Sequence, residues 1–154
     1  METRVEVFLK KGINNSEAEG IKSDIQDLGI KKVREVITTQ IYLIEGEISP
    51  SQKRLICENL LADHLIQEYH LNSKLKTQNS KLNPWIVEVW LKKGVTDTVA
   101  ESAAKGIRDL GIKKVKNVKT GKKYLLFGSL SLKEIEIICQ RLLVNKVIQN
   151  YFIK

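Results

Sequence analysis

The stretch Val5-Glu6-Val7-Phe8-Leu9-Lys10-Lys11-Gly12 returns 82 positions later as Val87-Glu88-Val89-Trp90-Leu91-Lys92-Lys93-Gly94. The same offset carries Asp27-Leu28-Gly29-Ile30-Lys31-Lys32-Val33 onto Asp109-Leu110-Gly111-Ile112-Lys113-Lys114-Val115. Residues 5–71 align with 87–153 without a gap, and about 30 of the 67 positions are identical. Self-similarity at a fixed period decides architecture before any local reading does. The chain is therefore read as a small domain in tandem: repeat 1 over 1–72, a linker over 73–84 and repeat 2 over 85–154.

Each repeat opens with strict alternation. Val5, Val7 and Leu9 point one way and Glu6, Phe8 and Lys10 the other; Val87, Val89 and Leu91 face away from Glu88, Trp90 and Lys92 in the same manner. That is the pattern of a half-buried strand. Ser16-x-x-Glu19 and Thr98-x-x-Glu101 read as capping boxes that start a helix. The helix carries an apolar stripe of Ala18, Ile21, Ile25 and Leu28, repeated as Ala100, Ala103, Ile107 and Leu110. Gly29 and Gly111 stand where a left-handed C-terminal cap belongs. Two strands are expected next, near 33–37 and 41–47, and again near 115–119 and 123–129, with Thr120-Gly121 at the hairpin turn. Ser49-Pro50 with Gln52, and Ser131 with Glu134, start a second helix. A last strand is expected over 65–71 and 147–153.

The element order is β-α-β-β-α-β, so the expected fold is α+β: two tandem ferredoxin-like repeats forming an intrachain pseudo-dimer. A repeat of about 70 residues has a marginal core by itself, which makes association between copies useful. Both helices fall on one sheet face, leaving Phe8 and Trp90 on the other. Large aromatics on an open face imply a covered surface, so Phe8 and Trp90 are the candidate repeat interface.

The net charge of +8 conceals an asymmetry. Residues 1–72 hold nine basic and twelve acidic side chains, residues 73–84 three lysines, and residues 85–154 fourteen basic against six acidic. Two copies with one skeleton have diverged electrostatically, which suits different partners or mutual attraction. No apolar run approaches the roughly 18 to 20 residues of a membrane helix. The N-terminus enters a strand pattern without the basic and then apolar run of a signal peptide. A soluble, cytoplasmic protein is expected.

The residues that carry chemistry are sparse. Cys57 and Cys139 occupy one repeat position, each followed by x-x-Leu-Leu, and they read as small buried apolar residues on a helix. His64 and His70 have Lys146 and Phe152 as their repeat equivalents, and no carboxylate or thiol cluster accompanies them at metal-site spacing. Glycine-rich phosphate loops are missing, so the chain is expected to bind no cofactor and to make no bond by itself. The densest charge feature runs from Lys113 to Lys123. It reads as a solvated charged hairpin or a docking surface for an acidic protein. Nucleic-acid binding is disfavoured, because only Trp90 and Tyr124 could stack a base.

The repeats resemble the small S subunit of phosphoribosylformylglycinamidine synthase. That family shows a first strand running into Lys-Pro-Gly-Val, a helix ending in Leu-Gly, a Val-x-x-Val-[KR]-x-Gly-Lys segment and a terminal Cys-x-x-Leu-Leu-Ala-Asn-x-Val-Ile-x-x-Tyr. Here the terminal run is Cys139-Gln140-Arg141-Leu142-Leu143-Val144-Asn145-Lys146-Val147-Ile148-Gln149-Asn150-Tyr151, and in repeat 1 it runs from Cys57 to Tyr69. Val115, Val118, Lys119, Gly121 and Lys122 keep the middle segment, which drifts to Thr39-Gln40 in repeat 1. Lys11 and Lys93 replace the family's proline, and the tandem form departs from a single-repeat subunit.

The resemblance implies an accessory subunit in purine biosynthesis that bridges a large ATP-dependent synthase subunit and a glutaminase subunit. ATP and Mg would sit on the large subunit, and the duplicated chain would be a covalent form of the family's dimer, open to further homo-oligomerisation. Linking two copies raises the effective concentration of one for the other to roughly millimolar. The partner-facing candidates are Lys92, Lys93, Gly94, Lys113, Lys114, Lys116 and Lys122. A different class of function, a paired ferredoxin-like regulatory module binding a small metabolite at the repeat interface, is kept open by Gly12 and Gly94.

Overall fold

Residues 1–72 and 83–154 are described by the computed structural model. Repeat 1 forms strand β1 (Glu2–Leu9), helix α1 (Ser16–Asp27), strand β2 (Val33–Gly46), helix α2 (Pro50–Ile56) with a π-helical turn at Cys57–Leu61, and strand β3 (Gln67–Leu71). Repeat 2 forms β4 (Trp85–Leu91), α3 (Thr98–Asp109), β5 (Val115–Gly128), α4 (Leu132–Ile138) with a π-helical turn at Cys139–Leu143, and β6 (Gln149–Ile153). Most of the expected linker, 73–82, lies outside the described residues.

The expected hairpins do not form. β2 and β5 are each one continuous strand of 14 residues. The physical reason lies in the joints. Ile37, Thr38, Thr39 and Ile41 are β-branched residues that favour extended backbone, and no turn residue interrupts them. Repeat 2 does offer Gly121, but its φ is not in the left-handed region. Thr120 is instead tied down by Asp97, whose Oδ2 accepts the Thr120 N–H at 2.9 Å. Neither joint holds a residue of positive φ, which the favoured two-residue hairpin turns require.

Two compact units result, and neither coincides with a repeat. The first comprises Met1–Ile13, Thr39–Lys74 and Thr96–Gly121; the second comprises Asn14–Thr38, Leu75–Val95 and Lys122–Lys154. Within the first unit the strands lie in the order β3-β1-β2-β5, and within the second in the order β6-β4-β5-β2. β1 runs antiparallel to both neighbours, with Val5 opposite Tyr42 on one side and Leu71 on the other. β4 pairs antiparallel with β6, Val89 opposite Tyr151. Each unit is thus a ferredoxin-like sheet with two helices, and each takes one helix and one half-strand from the other repeat. The tandem repeats form an intrachain pseudo-dimer by this reciprocal exchange.

The core of the first unit sets Val5, Val7 and Ile44 of the sheet against Ile56 and Cys57 of α2 and its π turn, and against Ala100, Ala103 and Ile107 of α3. In the second, Val87, Val89 and Leu126 meet Ile135, Ile138 and Cys139 together with Ala18 and Ile25 of α1. The apolar stripes expected for the first helix of each repeat are therefore the faces that α1 and α3 bury. Full burial of a side chain such as Ile25 or Ile107 is worth about 1.5–3 kcal/mol. The opposite face of the first strands is not simply open. Glu6 and Ile41, paired across β1 and β2, are 4% and 0% exposed, and Glu88 is also buried.

The helix ends show why local signals were read well in some places and displaced in others. At the C-termini of α1 and α3, Ile30 N–H donates to Ile25 O and Gly29 N–H to Gln26 O, with Ile112 to Ile107 and Gly111 to Arg108 repeating the pattern. This is a Schellman motif, as the glycines suggested. Ser49 with Gln52 and Ser131 with Glu134 form both bonds of a capping box. The first helices differ from expectation: their N-caps are Asn15 and Asp97, not Ser16 and Thr98. Asn15 and Asp97 accept from the N–H of Ala18 and Ala100 while also holding Thr38 and Thr120 on the sheet. A cap that serves the sheet as well outcompetes the adjacent hydroxyl.

The close approach of backbone to backbone at the strand ends demands glycine. Gly46 has φ +144, and a Cβ there would fall 2.2 Å from Lys114 O. Gly128 has φ +139, and its Cβ would fall 2.1 Å from Lys32 O. In each unit the end of one long strand meets the start of the other at that point.

Candidate partner-binding surfaces

Beside the last strand, both units build the same surface from the same backbone devices. After β1, the turn Lys10-Lys11-Gly12-Ile13 closes through Ile13 N–H to Lys10 O at 3.1 Å, with Gly12 at φ +89. Lys92-Lys93-Gly94-Val95 repeats it, at the same 3.1 Å and with Gly94 at φ +88. A positive φ at the third turn position is what these glycines supply. Each turn is fastened to a second one: Lys10 N–H donates to Ile66 O and Lys92 N–H to Ile148 O, both at 2.8 Å.

That second turn explains why the last strand starts at Gln67 and Gln149, two residues later than expected. Asp63 Oδ1 accepts the Leu65 N–H, and Gln67 Oε1 accepts the Asp63 N–H. Asn145 and Gln149 do the same around Val147. Such side-chain mimicry of a backbone turn competes with strand pairing. It leaves Leu65 75% and Val147 81% exposed.

Between this turn and the outer strand lies a shallow depression in each unit, and in the first it reaches the π-helical turn at Glu58 and Asn59. In the first it is lined by Lys10, Glu58, His64, Glu68, Tyr69 and His70 among others. In the second it is lined by Lys92, Lys146, Gln149, Asn150, Tyr151 and Phe152. Tyr69 donates its hydroxyl to Glu58 at 3.1 Å, and burial together with that bond holds the phenol above its ordinary range. In the second unit Gln140 donates to the Tyr151 hydroxyl at 3.2 Å and accepts from the Lys146 ammonium at 3.1 Å. Sequence reading singled out Lys92 as partner-facing, weighed His64 and His70 only as metal ligands or bases, and left the others unassigned. The signal was present in the repeat alignment, where Glu58, His64, Glu68 and His70 change to Gln140, Lys146, Asn150 and Phe152 while Cys57, Leu60, Gln67 and Tyr69 are kept.

The other candidates are scattered rather than gathered. Lys93 and Gly94 are exposed on the turn after β4. Lys113, Lys114 and Lys116 are exposed in the first unit, where Lys114 stands 3.6 Å from Glu47. Lys122 belongs to the second unit and is engaged by Glu17 of α1. Lys123 is 2% exposed, so the basic run is not one solvated hairpin. Phe8 stacks on His70 with ring centroids 4.9 Å apart, and Trp90 donates its indole N–H to Glu88 at 3.2 Å. Tyr124 is buried in the second core and has no face to offer a nucleic-acid base.

The thiols carry no reactive site. Burial, with Glu58 adding, pushes Cys57 up to about 11, and burial with Glu136 pushes Cys139 up to about 12. Thiolate, the reactive form, is thereby suppressed at neutral pH. Among the described residues no group of three or more His, Cys, Asp or Glu side chains could hold a metal ion, and no helix is long and apolar enough to cross a membrane.

Two ferredoxin-like units, each completed by a helix and a half-strand of the other repeat, define a tandem ferredoxin-like protein. The comparison with known families then specifies it. The family model described as PurS: Phosphoribosylformylglycinamidine (FGAM) synthase matches twice, over residues 2–74 and 85–154, and the chain belongs to that family, which supplies a subunit of FGAM synthase in purine biosynthesis. The chain is similar to the phosphoribosylformylglycinamidine synthase subunit PurS of Archaeoglobus fulgidus, 39% identical over 72 residues that make up 44% of this chain and 90% of the relative. Among solved structures it is similar to PurS of B. subtilis at 19% identity and a TM-score of 0.44, covering 48% of this chain and 98% of the other. It is similar also to PurS of Methanocaldococcus jannaschii, one of the subunits of formylglycinamide ribonucleotide amidotransferase, at 29% identity and a TM-score of 0.42, covering 49% and 98%.

Proposed function

We propose that this chain is a non-catalytic bridging subunit of FGAM synthase, holding a large synthase subunit and a glutaminase subunit together for the glutamine- and ATP-dependent amidation of formylglycinamide ribonucleotide. ATP and Mg belong to the large subunit in this reading, and the assembly works in the cytoplasm. The observation that carries it is the double match to one subunit family along a single chain. Two units built on one plan but bearing unlike side chains suit a connector that must meet two different partners. The exposed lysines Lys93, Lys113, Lys114 and Lys116, with Lys92, Gly94 and Lys122, are the partner-facing set. In the assembled protein the faces that carry Phe8 and Trp90 are covered.

Reconstitution tests the reading. Large subunit and glutaminase from the same source are mixed with and without this chain, and glutamine-dependent amidation is assayed beside co-elution on sizing. Activity and a ternary complex that both require the chain are expected. Full glutamine-dependent activity without it, together with no co-elution, would remove the bridging role.

A further inference from the structure

The two depressions stand at equivalent places in the two units and differ in charge. The π-helical turn, the Asp63 or Asn145 turn, and the fastened glycine turn recur in both units. π-helical turns are rare and concentrate at functional positions. The second depression is lined by two lysines and no carboxylate, whereas the first sets Glu58 and Glu68 against a single lysine and two histidines. Lys146 is steadied by a neutral amide, Gln140, so its charge is held in place without being offset by that partner. Apolar surface accompanies the charge: Phe152 in the lining is 52% exposed, and Val147, next to Lys146 in the chain, is 81% exposed.

We propose that the depression of the second unit, around Lys92, Lys146, Tyr151 and Phe152, is the docking site for an acidic, apolar-tipped surface of a partner subunit, and that its counterpart in the first unit rejects that surface. The inference rests on the bridging reading and adds to it the address and the polarity of one contact. Val147 and Phe152 supply area to be removed from water, while the two lysines orient the approach and speed it. At the counterpart, Glu58 and Glu68 present like charge to the same partner, which excludes it by repulsion. A duplicated chain thereby presents one acid-accepting depression, not two. One copy of the acidic partner per chain follows as the stoichiometry.

The experiment uses the full chain immobilised and the large synthase and glutaminase subunits flowed over it separately, at low and high salt. Wild-type chain is expected to bind one of them at one copy per chain, with affinity that falls as salt rises. Lys92→Glu/Lys146→Glu should weaken that binding about tenfold or more and leave the other partner within about twofold. Lys146→Glu alone keeps the test valid if the double variant folds poorly, because Lys146 is an exposed side chain on the turn. Unchanged affinity in both variants for both partners overturns the docking site while leaving bridging intact. A stoichiometry of two acidic partners per chain overturns the asymmetry. Failure of wild-type chain to bind either subunit overturns the bridging reading itself, and the docking site with it.

Discussion

Replacing Asp97 by alanine removes a side chain that does two jobs in the first unit. It caps α3 through the Ala100 N–H at 2.9 Å, and it holds Thr120 through both the backbone N–H at 2.9 Å and the hydroxyl. Losing an N-cap costs about 1 kcal/mol. Hydrogen bonds to a charged group are worth about 1.5–3 kcal/mol, and their loss leaves the buried Thr120 N–H without its acceptor. Asp97→Ala should therefore destabilise by about 3 kcal/mol. Asn15→Ala, its repeat equivalent, loses a cap and one neutral bond to Thr38 and should cost about 1–2 kcal/mol. Thr98→Ala, at the position that the sequence pattern favoured as cap, should change stability by less than about 0.5 kcal/mol. Urea unfolding followed by circular dichroism, compared at a common slope, measures all three. If Thr98→Ala costs more than Asp97→Ala, the cap assignment and the account of why β5 runs straight both fail.

The remaining predictions concern glycine, pH and the sheet faces. Gly46→Ala and Gly128→Ala should each destabilise by more than about 3 kcal/mol, since each sets a Cβ against backbone at a positive φ, while Gly20→Ala in α1 should stabilise by up to about 1 kcal/mol because nothing lies within 4 Å of its Cβ. Thermal midpoints of the three variants check this, and equal behaviour would refute the close approach. Burial pushes Cys57 up to about 11, Cys139 to about 12 and Tyr124 to about 12, Glu17 adding to the last, so the unfolded chain releases these protons first. Stability should hold below pH 9, where the ordinary thiol value lies, and fall steadily from there towards pH 12. The native thiols should also resist a disulfide reagent at pH 8 and react fully in denaturant; fast native reaction would contradict their burial. In a Trp85→Phe background, Trp90 fluorescence should resist acrylamide, whereas a freely quenched indole would sink the proposal that its face is covered.

Much of this protein is visible in one dimension. Periodicity and capping residues located the four helices of the described residues and the first and last strands, and the paired glycines at 29 and 111 announced their Schellman ends, because these depend on residues within five positions of each other. The π-helical turns at Cys57 and Cys139 were not visible, since a π turn and an α turn share the same apolar spacing over so short a run. Nor was the depression beside the last strand, although a comparison of charge between repeats carried its trace. Its members come from the turn after the first strand, the turn before the last strand and that outer strand itself, and only β1–β3 and β4–β6 pairing brings them together.

The duplication, the helices with the first and last strands, the buried face of the first helix of each repeat and the family were all determined by the amino-acid sequence. Which repeat completes which unit was decided only by tertiary structure. A strand that turns back at Thr38 and one that runs on bury the same apolar positions and can satisfy the same backbone groups, so pattern cannot separate them. The choice is made by interactions distant in the chain: Asp97 holding Thr120 in extended backbone, Gln40 donating to Gly121 O, and the glycine crossings at 46 and 128. Exchange of identical elements between two copies of one domain is a low-cost rearrangement, and here a single chain contains both copies.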